Sequence, residues 1–242
     1  MKKGLVLGAL LSSALLLSSC GGNTVALSIP ESGNGSEAAN VLTEVKTTQF
    51  FTDEKVASED IEKILAAGVN APSAMNTQPW HFTAITDEET NGKLKDAMGS
   101  MKPPAGGAPK APEGGEAPKD APKAPEGKGD FAKIANKAGM GDAPLTIVIS
   151  CEEGAELSAG LAVQNMAAEA QLLGYGTKIM TSPTMALNGD NKDEFKALLS
   201  IPENQSAAAV LLVGKADSDN PDAESAATER NAFEEVTTVI GE

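Results

Sequence analysis

Residues 41–242 predict a β-sheet with helices packed on it, of the α/β or α+β class, and three patterns carry that reading. Apolar residues recur at helical spacing around residue 61, continuous apolar runs stand at 145–149 and 207–213, and an Ala-rich stretch between those runs is apolar nearly all round. Helical and strand patterns therefore interleave along the chain.

The first element is amphipathic. Val56, Ile61, Ile64 and Leu65 share one helical face behind Ser58, Glu59 and Asp60, which offer a cap and first-turn acids, and Gly68 supplies a stop. Residues 81–85, beginning at His81 and Phe82, alternate as a strand, whereas 145–149 has the unbroken apolar character of a central strand. Residues 157–173 read as a buried central helix. Asp190 or Asn191 can open a further helix with Phe195, Leu198 and Leu199 inward, and 207–213 makes another buried strand.

Ahead of these elements stands a leader. Met1, Lys2 and Lys3 precede an apolar stretch and then Leu17, Ser18, Ser19 and Cys20, the layout of a signal peptide spanning 1–19. An apolar run this short falls below the roughly 20 residues needed to cross a bilayer core. Residues 17–20 resemble the bacterial lipobox, and that resemblance implies cleavage before Cys20, acylation of Cys20 and an extracytoplasmic protein held to a membrane by its lipid. Residues 20–40, rich in Gly, Asn, Ser and Ala, then serve as a flexible tether. A second biased tract runs over about 102–128, where Ala108 to Gly114 recurs as Ala121 to Gly127. Proline at that density forbids helix and sheet, so the tract reads as an extended, disordered insertion within one domain, 41–242.

Charge and rare residues exclude several functions. The 242 residues carry 19 basic and 34 acidic side chains, a net charge of −15, and loss of Lys2 and Lys3 with the leader takes it to −17. Such a surface repels nucleic acid. With Cys20 acylated, Cys151 has no partner for a disulfide and reads as a small buried hydrophobe. One histidine, His81, cannot serve a metal cluster or a Ser-His-Asp triad, and it reads as structural.

The chemistry concentrates in residues 70–82, from Asn70 through Pro72, Ser73, Asn76, Gln78, Pro79 and Trp80 to Phe82. Two prolines fix an irregular turn on which Ser73, Asn76 and Gln78 present donors and acceptors to a polar ring system. This stretch resembles the signature of the nitroreductase family. The likeness extends over about 41–240: residues 159–166 look like the family's dimer helix, 173–183 like the segment after it, and Ile201, Pro202 and Glu203 match the family order before the last strand.

The resemblance implies an α+β fold, a mostly antiparallel central sheet flanked by helices, built as an intertwined homodimer with FMN at the subunit interface. It implies that Pro72, Ser73, Asn76 and Gln78 meet the flavin ring, and that the backbone near Thr181 and Ser182 lies toward its reactive nitrogen. Lys46 and Thr47 fall at phosphate ligands, Gln49 stands where a cation is common, and Arg230 falls at a phosphate-binding arginine ahead of Phe233. Residues 222–228 also resemble a site at which FMN is attached covalently to threonine, here Thr228, with Ala226 in place of the usual glycine. In that family the flavin carries the chemistry and passes electrons to nitroaromatic, quinone-like or other electron-poor acceptors. The donor is NAD(P)H or, for an exported protein, a quinol or another exported redox carrier. A flavin-binding or structural lipoprotein without turnover, and another flavin reaction such as dehalogenation or flavin fragmentation, are the alternatives.

Overall fold

The computed structural model describes residues 41–42, 47–100, 138–225 and 232–240. The leader, Cys20, the tether, the Pro-rich insertion, Lys46, Thr228 and Arg230 lie outside the described residues. Residues 41–225 belong to a main unit, and 232–240 belong to a separate one, in which Phe233–Val236 form a single helical turn.

In the main unit the order is β1 (Thr47–Thr48), α1 (Ser58–Val69), a short 3-10 turn (Ala74–Asn76), β2 (Trp80–Ile85), α2 (Glu88–Ser100), β3 (Leu145–Glu152), α3 (Glu156–Leu172), β4 (Gly176–Met180), α4 (Thr184–Leu187), α5 (Lys192–Leu199), β5 (Gln205–Gly214) and β6 (Glu224–Ser225). Four strands form the central sheet in the order β2-β3-β5-β4, and β1 pairs with β6 in a separate ladder. Every pair is antiparallel. This settles the class left open above as α+β.

Alternation along the central strands divides the interior in two. Leu145, Ile147, Ile149, Leu211 and Val213 face a cluster with Ile64 of α1 and Met166 of α3, while Val148, Val210 and Leu212 face Leu94 of α2, Leu187 of α4, and Phe195 and Leu199 of α5. The sheet therefore lies between two helical layers. Between Ile149 and Ser150 the β3–β5 register shifts, because Ala208 is an extra residue between the partners Ala209 and Ala207. Asn188 supports the bulged strand: its side-chain amide donates to Ala207 O at 2.9 Å, and its Oδ1 accepts from Ala207 N at 3.0 Å.

Three expectations are corrected. Ser58 does not cap α1; Ala57 holds the cap position without a side-chain bond, although the acids Glu59 and Asp60 do occupy the first turn. Gly68 lies inside α1 rather than ending it. A Cβ there would come within 2.8 Å of Met166 Cγ, so the glycine permits close approach of α3. The helix α3 is not buried all round. Met166, Ala167 and Ala170 pack inward, whereas Leu157, Leu161 and Leu172 are 79%, 40% and 47% exposed.

Candidate functional site

The segment between α1 and β2 is a strained, exposed turn. After Val69 the helix closes with Asn70 Nδ2 donating to Ala66 O at 2.8 Å, and Ser73 turns extended. Met75, Asn76 and Gln78 then all take positive φ, at 50°, 57° and 49°. Each such residue that is not glycine costs on the order of 1 kcal/mol, so the turn needs support. Ser73 supplies it: its Oγ accepts from Gln78 N at 3.0 Å, and its carbonyl accepts from Asn76 N at 3.0 Å. Met75 is 94% exposed, and Pro72, Asn76 and Gln78 are exposed too. Just beyond, Trp80 and Phe82 stack with ring centroids 6.0 Å apart at the start of β2.

A second exposed stretch follows β4. Thr181 and Ser182 are open to solvent, and their carbonyls are taken up by the start of α4: Thr181 O accepts from Thr184 N at 3.1 Å and Thr184 Oγ1 at 2.7 Å, and Ser182 O from Met185 N at 3.2 Å.

The third stretch is β1 with its continuation. Thr47 pairs with Ser225 and is half-buried. Thr48 lies against β4, where a Cβ on Gly176 would collide with the Thr48 side chain. Gln49 is only 6% exposed; its N–H donates to Ala223 O at 2.6 Å and its carbonyl accepts from Ala138 N at 2.8 Å. Lys178, in the middle of β4, reaches the same place, with Nζ donating to Ala138 O at 2.6 Å.

The antiparallel register puts the start of β2, the end of β3 and the start of β5 at one end of the sheet, and β4 runs toward that end but stops at Met180, level with Val210, Val148 and Thr83, so the Pro72–Gln78 turn lies at that end and Thr181–Ser182 short of it. They also stand on opposite edges, because β2 and β4 are the outer strands. Three strand spacings, about 14 Å, separate them across the sheet, and they are offset along the strands as well. One chain thus brings Thr47–Gln49 against the strand that leads to Thr181, and it does not bring the Pro72–Gln78 turn to the same point.

Nearby titratable groups are structural. Lys63 and the Tyr175 hydroxyl bond to Asp60 and hold its carboxyl below the usual range, and the hydroxyl lies 2.9 Å from Asp60 Oδ2. Burial raises Cys151, an inert thiol on β3 that faces the core beside β2. His81 sits half-buried on β2. Among the described residues no cluster of His, Cys, Asp and Glu could hold a metal ion, and no helix is long and apolar enough to cross a membrane. Two residues escaped the reading of the sequence, Lys178 and Asn188. A lysine inside a short strand, between Thr177 and Ile179, was the one available signal for the first, whereas nothing local marks the second.

A model of the nitroreductase family matches residues 43–215. A protein of Archaeoglobus fulgidus designated an NADH dehydrogenase/NAD(P)H nitroreductase is 43% identical over 65 residues, which span 26% of this chain and 37% of that protein. YodC of Bacillus subtilis, designated an NAD(P)H nitroreductase, is 24% identical over 180 residues, 69% of this chain and 83% of its own length. The crystal structure of a nitroreductase with bound FMN from Desulfitobacterium hafniense superposes with a TM-score of 0.62 at 20% identity, covering 85% of this chain and 98% of that one.

Proposed function

This chain belongs to the nitroreductase family, and from that premise we propose an FMN-dependent oxidoreductase that reduces nitroaromatic, quinone-like or other electron-poor acceptors. The observation that carries the reading is the strained, solvent-facing turn from Ser73 to Gln78, whose left-handed residues hold polar side chains outward at one end of the sheet. Strain of this kind is held by the surrounding structure and clusters at ligand-binding sites.

The donor set suits a flavin. Asn76 and Gln78 each offer both a carbonyl and an amide, matching the alternating acceptors and donors along a flavin's pyrimidine edge, and Pro72 stiffens the approach. Thr181 and Ser182 are exposed at the end of β4, with their carbonyls taken up by α4. Thr47, with Lys46 and Arg230, is assigned to the phosphate, where an arginine can bind two oxygens at once. Thr228 is the candidate for a covalent link. When bound there, FMN would supply two-electron redox chemistry between a donor and an acceptor. The chain's part is to bind and orient the ring through these groups.

Because the two ring-binding segments stand on opposite edges of one sheet, the proposal includes a homodimer in which each site draws on both chains. Exposed Leu157, Leu161 and Leu172 on α3, and exposed Val239 and Ile240 in the carboxy-terminal segment, support such an exchange. We further propose that the enzyme is exported and anchored through Cys20. In that setting the donor is a quinol or exported carrier, whereas NAD(P)H fits the designations of the relatives.

An absorption spectrum of the purified chain tests the reading. A yellow sample bleached by dithionite and reoxidised by a nitroaromatic is the expected result. Yellow protein without turnover reduces the proposal to flavin binding, and colourless protein that ignores added FMN overturns it.

A further inference from the structure

Resting on that FMN reading, we propose that Met75 is a specificity-determining residue, whose thioether forms the wall on which an electron-poor aromatic acceptor rests. Met75 is 94% exposed and takes φ 50° and ψ 22°. Neither property serves the fold. A side chain in the left-handed region is strained, and an apolar one left in water gains nothing from packing. Glycine and asparagine usually take such a conformation, and the neighbouring Asn76 is an example. A methionine at this point is therefore explained by something that comes to the turn, not by the core beneath it.

The turn gives it a defined place. Ser73 O accepts from Asn76 N at 3.0 Å and Ala74 O from Thr77 N at 3.1 Å, so Ala74 and Met75 form the apex, between Ser73 on one side and Asn76 and Gln78 on the other. Those three are the groups assigned to the ring. Met75 is the one long apolar side chain in 72–78, and its neighbours Asn76, Thr77 and Gln78 are polar. The exposed leucines of α3 differ, since they lie together on one helix as a stripe that a second chain can cover. Sulfur suits the task. A thioether is polarizable, unbranched and adaptable, and it makes favourable contacts with aromatic rings. A ring drained of electrons by a nitro or carbonyl group presents a face that a sulfur lone pair complements, and a non-aromatic acceptor offers no such face.

Two measurements on the flavin-loaded full chain test this. In the first, the oxidised protein carries isotope-labelled methionine methyl groups, and the Met75 resonance is identified by its absence from Met75→Leu. On titration with p-nitrobenzyl alcohol that resonance should move upfield, as a methyl group over a ring does. In the second, the flavin is reduced anaerobically with a stoichiometric amount of dithionite, and its reoxidation is followed at rising concentrations of p-nitrobenzyl alcohol or ferricyanide. For Met75→Gly the melting temperature should hold or rise, because glycine relieves the positive φ. The preference for the nitroaromatic over ferricyanide should fall about tenfold, through a higher half-saturating concentration rather than a lower limiting rate. A Met75 resonance that the nitroaromatic does not move overturns the assignment. So does a Met75→Gly protein that keeps the wild-type preference, binds FMN more weakly or has half the molar mass, since the last two would put Met75 under the cofactor or at the subunit contact. Should Met75→Gly not fold, Met75→Asn, which also tolerates the left-handed conformation, is read in the same way. Wild-type protein that binds no flavin, or whose flavin neither acceptor reoxidises, overturns the enzyme reading and this assignment together. Wild-type turnover of the nitroaromatic beside an indifferent Met75→Gly overturns this assignment alone.

Discussion

The two helical layers treat water differently. In α5 the inward residues Phe195 and Leu199 are matched on the outside by Lys192, Asp193, Glu194 and Lys196, the ordinary arrangement of a helix between core and solvent. In α3 the inward Met166, Ala167 and Ala170 are matched by Leu157, Leu161 and Leu172, and its only charged residues are Glu156 and Glu169. A sheet can present one face to water, but a helix carrying apolar residues on both faces needs two apolar neighbours. The core supplies one of them for α3, and in the proposed homodimer a second copy of the chain supplies the other.

Placing a charge in that outward stripe breaks the comparison most severely. In Leu161→Lys the expected outcome is a monomer, read as a halved molar mass by light scattering after size exclusion, together with loss of bound flavin. Each buried leucine is worth about 1.5–3 kcal/mol, and a twofold axis counts it twice, so dimerisation weakens by about a hundredfold or more. Glu194→Lys on the outer face of α5 is the control, and molar mass and colour should not respond. If both variants behave alike, the two layers do not differ as argued.

The inner side of α3 gives a smaller effect. Met166 is wholly buried against Gly68, and Met166→Ala should cost about 2–5 kcal/mol, measured by urea denaturation. Gly68→Ala alone should also destabilise, since its new Cβ has no room beside Met166 Cγ. With Met166 already truncated the same change keeps only the tight contact with Phe82 Cε2 at 3.2 Å and has helix propensity of about 1 kcal/mol on its side, so the pair should be non-additive in the favourable direction. Additive costs would mean that Gly68 is present for another reason.

Much of this was legible in the sequence because burial writes itself into local patterns. The strands at 145–149 and 207–213 are apolar because helices cover both faces, and the turn at 72–78 announced itself by its prolines and polar residues. The outward face of α3 misled for a physical reason: an apolar stripe reads the same whether the chain's own core or a second chain covers it. Gly68 misled similarly, since a glycine near a helix end reads as a stop unless the neighbouring helix is known. Asn188 was illegible because its two bonds serve a bulge in a strand 19 residues away. The place of Lys178 is legible only once β4 is known to lie beside β1, a contact between residues more than a hundred positions apart.

The smallest effect concerns how the α1–α3 layer is tied at its rim. Tyr175, between α3 and β4, donates to Asp60 Oδ2, while Lys63 bonds Asp60 Oδ1 at 3.1 Å from the next turn of α1. The Lys63 bond is the largest cause, and the Tyr175 bond the next, of a carboxyl held below its ordinary value of 3.8. A carboxylate depressed in the folded state stabilises fully above that ordinary value, and its contribution fades as pH falls through the folded one. Tyr175→Phe removes one of the two bonds and so should flatten the loss of stability on acidification, most visibly when melting temperatures are followed from pH 6 to below pH 4. The residue is exposed enough for solvent to screen it, so the change is small beside those above. Acid limbs that run parallel in the two proteins would show that Lys63 alone holds Asp60, and that the tyrosine contributes packing under Lys215, whose Nζ lies 4.5 Å above its ring.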